Sequence, residues 1–244
     1  MKKSICLTLI VLFVMSVFSG GAFASTKIEP SNILTETNRN LVNYLHKQSL
    51  NQMDSKDIIE SIKSYYANSL LRNLNPNPNI LSSYSMKIKE ESITKNTVKI
   101  SNNLFITFYN DGRTTVQIIE KVVPQVGINA TETTQTLTCI WAQFVWSDFI
   151  YDLTITGNFM FDPDVNIVSP LSWASSDTRS KYITSVTDRD DGGEVTALDG
   201  SEAEIWAKGK FKYKWTGFSY TDKPRPTIEC DGSGNYTLKP NETW

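Results

Sequence analysis

The segment from Glu202 to Trp215, EAEIWAKGKFKYKW, alternates along its whole length. Ala203, Ile205, Ala207, Phe211, Tyr213 and Trp215 fall on one side. Glu202, Glu204, Trp206, Lys208, Lys210, Lys212 and Lys214 fall on the other. A period of two is the signature of a strand with one face in a core and one face wet. A helix would scatter these apolar side chains around its axis, so the segment commits its part of the chain to a sheet. The same period recurs from about Ser83 onward. Met86 and Ile88 alternate with Lys87 and Lys89. Runs at about 103–109 and 113–123 flank Asn110-Asp111-Gly112, a hairpin signal. Residues 134–146 are apolar on both faces after Cys139, as in a strand buried between layers. Residues 149–161 place Phe149, Tyr151, Leu153, Ile155, Gly157, Phe159 and Phe161 on one face. Runs at 180–188 and 194–199 flank Asp190-Asp191-Gly192-Gly193, which reads as another hairpin turn. Short strands at Thr227–Cys230 and Asn235–Leu238 flank Asp231-Gly232-Ser233-Gly234. Nine to eleven strands with no helix between them point to a mainly β fold. The expected body is an antiparallel β-sandwich or jelly-roll-like arrangement.

Two N-terminal helices precede this body. Ser31 or Asn32 caps the first, which carries Ile33, Leu34, Leu41, Tyr44 and Leu45. Asp54 or Ser55 caps the second, with Asp57 in its first turn and Ile58, Ile59, Ile62, Tyr65, Tyr66, Leu70 and Leu74 at helical spacing. Asn75 to Asn79, NPNPN, ends it, because two prolines cannot continue a helix.

Residues 1–24 read as an export signal. Lys2 and Lys3 precede an apolar stretch from Ile5 to Phe18, and Ala22-Phe23-Ala24 sets cleavage before Ser25. The expected organisation is therefore a signal peptide over 1–24, a helical segment and Asn/Pro linker over 25–79, and an antiparallel β domain over 80–244. The mature chain is expected to be secreted, with no transmembrane anchor left after cleavage. Export also changes the counts. Without Lys2 and Lys3, 22 Lys+Arg face 26 Asp+Glu, for a net charge of −4. That balance argues against nucleic acid as a partner. Cys6 is lost, leaving Cys139 and Cys230, whose single pairing in an oxidising compartment would be one disulfide.

The chemistry open to the chain is narrow. His46 is the only histidine, which excludes His-rich zinc sites and most nucleophilic triads. The remaining hydrolytic option is a carboxylate pair. Glu202 and Glu204 share a strand face, roughly 7 Å apart by strand rise, a spacing suited to glycan hydrolysis. The competing reading is a solvated strand face. Calcium is the one candidate cofactor. The loop around Asp188, Asp190, Asp191 and Glu194 offers several hard oxygens beside Gly192-Gly193. The competing reading is a plain turn.

The aromatic residues suggest binding. Trp141, Trp146 and Trp215 sit in apolar patterns and belong to a core. Trp206 lies on the charged face of its strand, and Trp173, followed by Ala-Ser-Ser-Asp, is expected in a polar loop. Phe218 and Tyr220 belong to a mixed segment running from Gly217 to Pro226. Exposed rings beside polar groups stack on sugars or anchor protein partners. Trp206, Trp173, Tyr220 and Phe218 are therefore the candidate ligand-binding residues. The leading expectation is a non-catalytic secreted protein that binds an extracellular or cell-surface glycan or protein. A membrane-active, toxin-like effector is the alternative, and a carboxylate-dependent glycan hydrolase is third. The lysines at 208, 210, 212 and 214 add a stripe of positive charge suited to an anionic polymer or surface.

Overall fold

The computed structural model describes residues 30–48, 53–69, 93–122 and 133–239. The expected export signal, the segment 75–79 and the alternation around Met86 lie outside the described residues. Two helices come first, α1 (Pro30–His46) and α2 (Ser55–Asn68). Asp54 caps α2 as its sequence indicates, with its carboxylate accepting from the Asp57 amide at 2.7 Å. Ile58, Ile59, Ile62 and Tyr66 form its buried stripe.

Eleven strands follow among the described residues. They are β1 (Lys95–Ser101), β2 (Leu104–Tyr109), β3 (Arg113–Val122), β4 (Thr133–Val145), β5 (Asp148–Asp162), β6 (Ile167–Arg179), β7 (Ile183–Val195), β8 (Glu202–Trp215), β9 (Phe218–Asp222), β10 (Thr227–Asp231) and β11 (Tyr236–Leu238). The fold is mainly β and antiparallel throughout. The first six strands make one sheet in simple sequence order, β1-β2-β3-β4-β5-β6. The second sheet runs β11-β10-β8-β7, with β9 also paired to β8. Consecutive strands joined by short turns need no long crossover, which is why hairpin signals alone organise most of the chain.

The strand β8 behaves as its period demands. Ala203, Ile205, Ala207, Phe211, Tyr213 and Trp215 are buried, while Glu202, Lys212 and Lys214 are exposed. The buried side faces β5. Tyr151 stacks on Phe211 with ring centroids 4.1 Å apart, and a Cβ on Gly157 would stand 2.5 Å from Ile205 Cδ1. The two sheets therefore meet face to face around β5 and β8, in a sandwich-like arrangement. The helices cover the other face of the first sheet. Tyr66 lies against Phe144 at 5.5 Å and donates to Thr114, and Ser55 donates to Glu120 at 2.6 Å. This explains why β4 is apolar on both sides after Cys139: helix covers one side and sheet covers the other.

Three expectations need correction. Asp190-Asp191-Gly192-Gly193 is not a hairpin turn, because β7 runs straight through it with a bulge between Thr187 and Asp190. The glycines are there for close approach. A Cβ on Gly192 would stand 2.6 Å from the Trp206 ring, and one on Gly193 would stand 2.8 Å from the Trp173 ring. Phe149 does not share a face with Tyr151. The β4–β5 register shifts between Gln143 and Phe144, so Phe149 pairs with Phe144 and takes Lys63 of α2 over its ring at 4.3 Å. Cys139 and Cys230 are both free, buried thiols rather than a disulfide. They stand in different sheets, Cys139 beside Ile119 and Ile155, Cys230 beside Ala203. Burial pushes both thiols up, Cys230 to about 12, so neither is a reactive thiolate.

Candidate functional site

The inner face of the first sheet changes character along its strands. Near Ile119, Cys139 and Ile155 it is apolar, and these residues are buried. Toward the β2–β3 turn it is polar. Thr97, Thr107, Thr115 and Gln143 lie side by side across β1 to β4. Thr97 and Thr107 hydroxyls meet at 3.0 Å, and Thr115 donates to Gln143 Oε1 at 2.8 Å. Thr107, Thr115 and Gln143 are all buried. A buried polar row gives up apolar burial along this stretch of the sheet.

At the end of this row lies a cavity of about 380 Å³ between the two sheets. Lys95, Tyr109, Arg113, Trp141, Asp222 and Lys223 line it, together with Thr115 and Gln143. Arg113 is the first residue of β3, placed there by the tight turn at Gly112, whose φ of 89° only glycine adopts easily. Asp222 is the last residue of β9. The two meet across the sheets, Arg113 Nη1 to Asp222 Oδ1 at 3.1 Å, while Arg113 Nε donates to the buried Asp111 at 2.8 Å. Asp222 Oδ2 accepts from Tyr213 at 2.9 Å and from Tyr151 at 3.3 Å. The Arg113 guanidinium also lies over the rings of Tyr109 and Tyr220, at 4.8 and 5.8 Å.

The electrostatics follow from burial. Desolvation raises the Asp222 carboxyl, and the nearby Arg113 charge and the two tyrosine hydroxyls oppose that shift without cancelling it. Desolvation also raises the Tyr151 and Tyr213 hydroxyls, with the Asp222 charge adding to it. Desolvation works against the Arg113 charge, but Asp111 and Asp222 outweigh it and keep the guanidinium protonated. Three donors thus hold the one carboxylate that lines the cavity. The buried Trp141 Nε1 on the opposite wall has no hydrogen-bond partner. Lys95 and Lys223 are exposed at the mouth. Arg113 is thus matched by Asp111 and Asp222, and the further positive charge of the described lining is that of Lys95 and Lys223, with the Tyr109 ring beside it.

The four ring residues singled out from sequence do not form one strip. Trp173 is not in a loop: it stands on β6 opposite Gly157, 37% exposed, and lies across Gly193. Trp206 is half-buried and lies across Gly192, between Lys208 and Arg225, each 5.1 Å from its ring. Gly192 and Gly193 point to opposite faces of β7, so these two rings are on different surfaces. The helices do not cover Trp206. Tyr220 stacks on Tyr213 at 5.1 Å and is not among the residues that line the cavity, and Phe218 pairs with Trp215 further along β9.

The acidic residues considered for metal or hydrolysis are also dispersed. Asp190 pairs with Lys208 at 3.2 Å, and Asp191 accepts from Ser175 at 2.7 Å. Asp188 sits at the bulge with φ 55°, and Glu194 lies opposite Glu204. Among the described residues no group of three or more His, Cys, Asp or Glu side chains is placed to hold a metal ion. Glu204 is buried and accepts from Arg225 at 2.8 Å and from Lys239 at 2.9 Å, while Glu202 is exposed. His46 is exposed at the end of α1. Comparison with family models, with curated proteins and with solved structures finds no match to this chain.

Proposed function

We propose that this is a secreted, non-catalytic binding protein whose cavity takes an anionic group carried by an extracellular or cell-surface glycan. The observation that carries the reading is the donor-rich lining. Lys95, Arg113 and Lys223 line a space of about 380 Å³ whose one carboxylate among the described lining residues, Asp222, already serves three donors. That volume falls in the range of small-ligand sites, roughly 300–1,000 Å³. A carboxylate, phosphate or sulfate on a sugar ring satisfies such donors, and Tyr109 in the lining offers aromatic surface to the ring. Hydrolysis fits less well. It needs two carboxylates about a groove, and Glu204 is tied to two cations away from this cavity.

The test is calorimetric titration with acidic saccharides, such as a glucuronate-containing disaccharide, against their neutral counterparts. The acidic sugars bind, more weakly at high salt, and Lys95→Ala with Lys223→Ala reduces affinity at least about tenfold. Equal binding of neutral sugars, or no binding of any acidic one, overturns the reading.

A further inference from the structure

Large apolar side chains are exposed at one end of the sandwich, away from the cavity. There the β5–β6, β7–β8 and β10–β11 turns come together. The Val168 amide donates to the Gly200 carbonyl at 2.8 Å, and the Gly232 amide donates to the Ser201 carbonyl at 3.0 Å. These turns and their flanks expose Val165, Ile167, Val195 and Leu198. Val165 is 60% exposed and Leu198 fully so. Backbone hydrogen bonds between the turns hold these side chains on a fixed platform.

The surrounding charge is mostly acidic. Residues 160–170, 194–206 and 227–238 contain no Lys, Arg or His. They contain Asp162, Asp164, Glu194, Asp199, Glu202 and Asp231, besides Glu204 and Glu229, which are paired with Lys239. Lys121 reaches this end, its ammonium 5.9 Å over the Tyr236 ring, and the lysines of β8 lie further along, from Lys208 to Lys214, so the charge changes sign along that strand. A soluble protein gains nothing by exposing several apolar side chains in one place unless they meet a partner.

We infer that this acid-ringed apolar end is a docking surface for a cationic polypeptide segment that carries apolar side chains of its own. Charge complementarity selects that occupant. A bilayer is a poor fit, because seating Val165 and Leu198 in it would bring the carboxylates against lipid phosphates. A second copy is a poor fit as well. Its lysine stripe offers charge, but no large apolar side chain on that stripe is exposed to meet Leu198.

The experiment uses the full secreted chain and a fluorescently labelled peptide of alternating Leu and Lys, followed by anisotropy. The Leu/Lys peptide binds, and a Leu/Glu peptide of equal length does not. The exposed-site pair Val165→Ser with Leu198→Ser lowers affinity at least about tenfold without changing the near-ultraviolet dichroism. Asp164→Asn with Asp199→Asn weakens binding and flattens its salt dependence. Lys223→Ala, at the cavity, leaves it unchanged. The inference is overturned if neither surface pair alters peptide binding. It is overturned equally if light scattering finds a dimer that Leu198→Ser dissolves, or if phosphatidylcholine vesicles bind through Leu198. A wild-type surface that does not light an apolar dye relative to the serine pair is already covered, and that too ends it.

Discussion

Replacing Gly157 by Ala tests the contact that holds the two sheets together. Gly157 is buried on β5, facing β8. A methyl there would stand 2.5 Å from Ile205 Cδ1, 2.9 Å from the Ser172 carbonyl oxygen and 3.2 Å from Trp173 Cβ. Non-bonded carbons prefer about 3.5–4.0 Å, so Ile205 must rotate or the sheets must part by about 1 Å. Forced overpacking of this kind costs ~1–3 kcal/mol. Alanine recovers about 0.5–1 kcal/mol of backbone entropy relative to glycine. The net loss expected therefore centres on about 1 kcal/mol, or a Tm drop of roughly 2–4 °C at 2–4 °C per kcal/mol for a chain of this size. Ile205→Val removes the offending Cδ1 and alone costs ~0.5–1.5 kcal/mol. In the double variant the methyl occupies the space that Cδ1 vacates. The two changes should therefore be less than additive, with a coupling of about 1 kcal/mol. Recovery stays incomplete, because the Ser172 carbonyl still crowds the site. Urea unfolding followed by tryptophan fluorescence measures all four corners of the cycle. Strict additivity, or a Gly157→Ala variant as stable as wild type, would falsify the sheet-on-sheet contact at this point.

Two further outcomes follow from the buried groups. Because the folded-state Asp222 carboxyl is raised, its contribution to stability is fully present below the ordinary carboxylate range. That contribution is lost as pH rises through the folded value. The stability gap between wild type and Asp222→Asn should thus be wider at pH 4 than at pH 7, and a narrower gap at pH 4 would mean that Arg113 depresses Asp222 instead. Cys139 and Cys230 should resist alkylation in the native protein, both react in urea, and show no mass difference on reduction. A thiol-free chain under non-reducing denaturation would refute this.

How much of this was legible depended on whether the signal was local. The alternation of β8 decides its own burial, and Asn110-Asp111-Gly112 and Asp54 each carry a complete local instruction. Gly192-Gly193 misleads because the rings that require glycine come from Trp206 and Trp173 on other strands. The Phe149 bulge is set by pairing with β4 and leaves no mark in the alternation itself. The cavity was half visible. The segment Gly217–Pro226 reads as a mixed polar and aromatic rim, and it does supply Asp222 and Lys223. Its partner Arg113 lies 109 positions earlier in the chain, and no spacing rule connects the two. Trp141 reads as core and is buried, yet its unpartnered N–H becomes visible only once its neighbours are placed.

The indole N–H of Trp141 offers the most direct check on the proposed function. Its proton–nitrogen resonance, assigned by its absence in Trp141→Phe, should shift when a glucuronate-containing disaccharide is added and stay in place with the neutral sugar. A Trp141 resonance unmoved by every acidic saccharide, in a protein that binds those sugars by calorimetry, would put the binding site elsewhere and contradict the account.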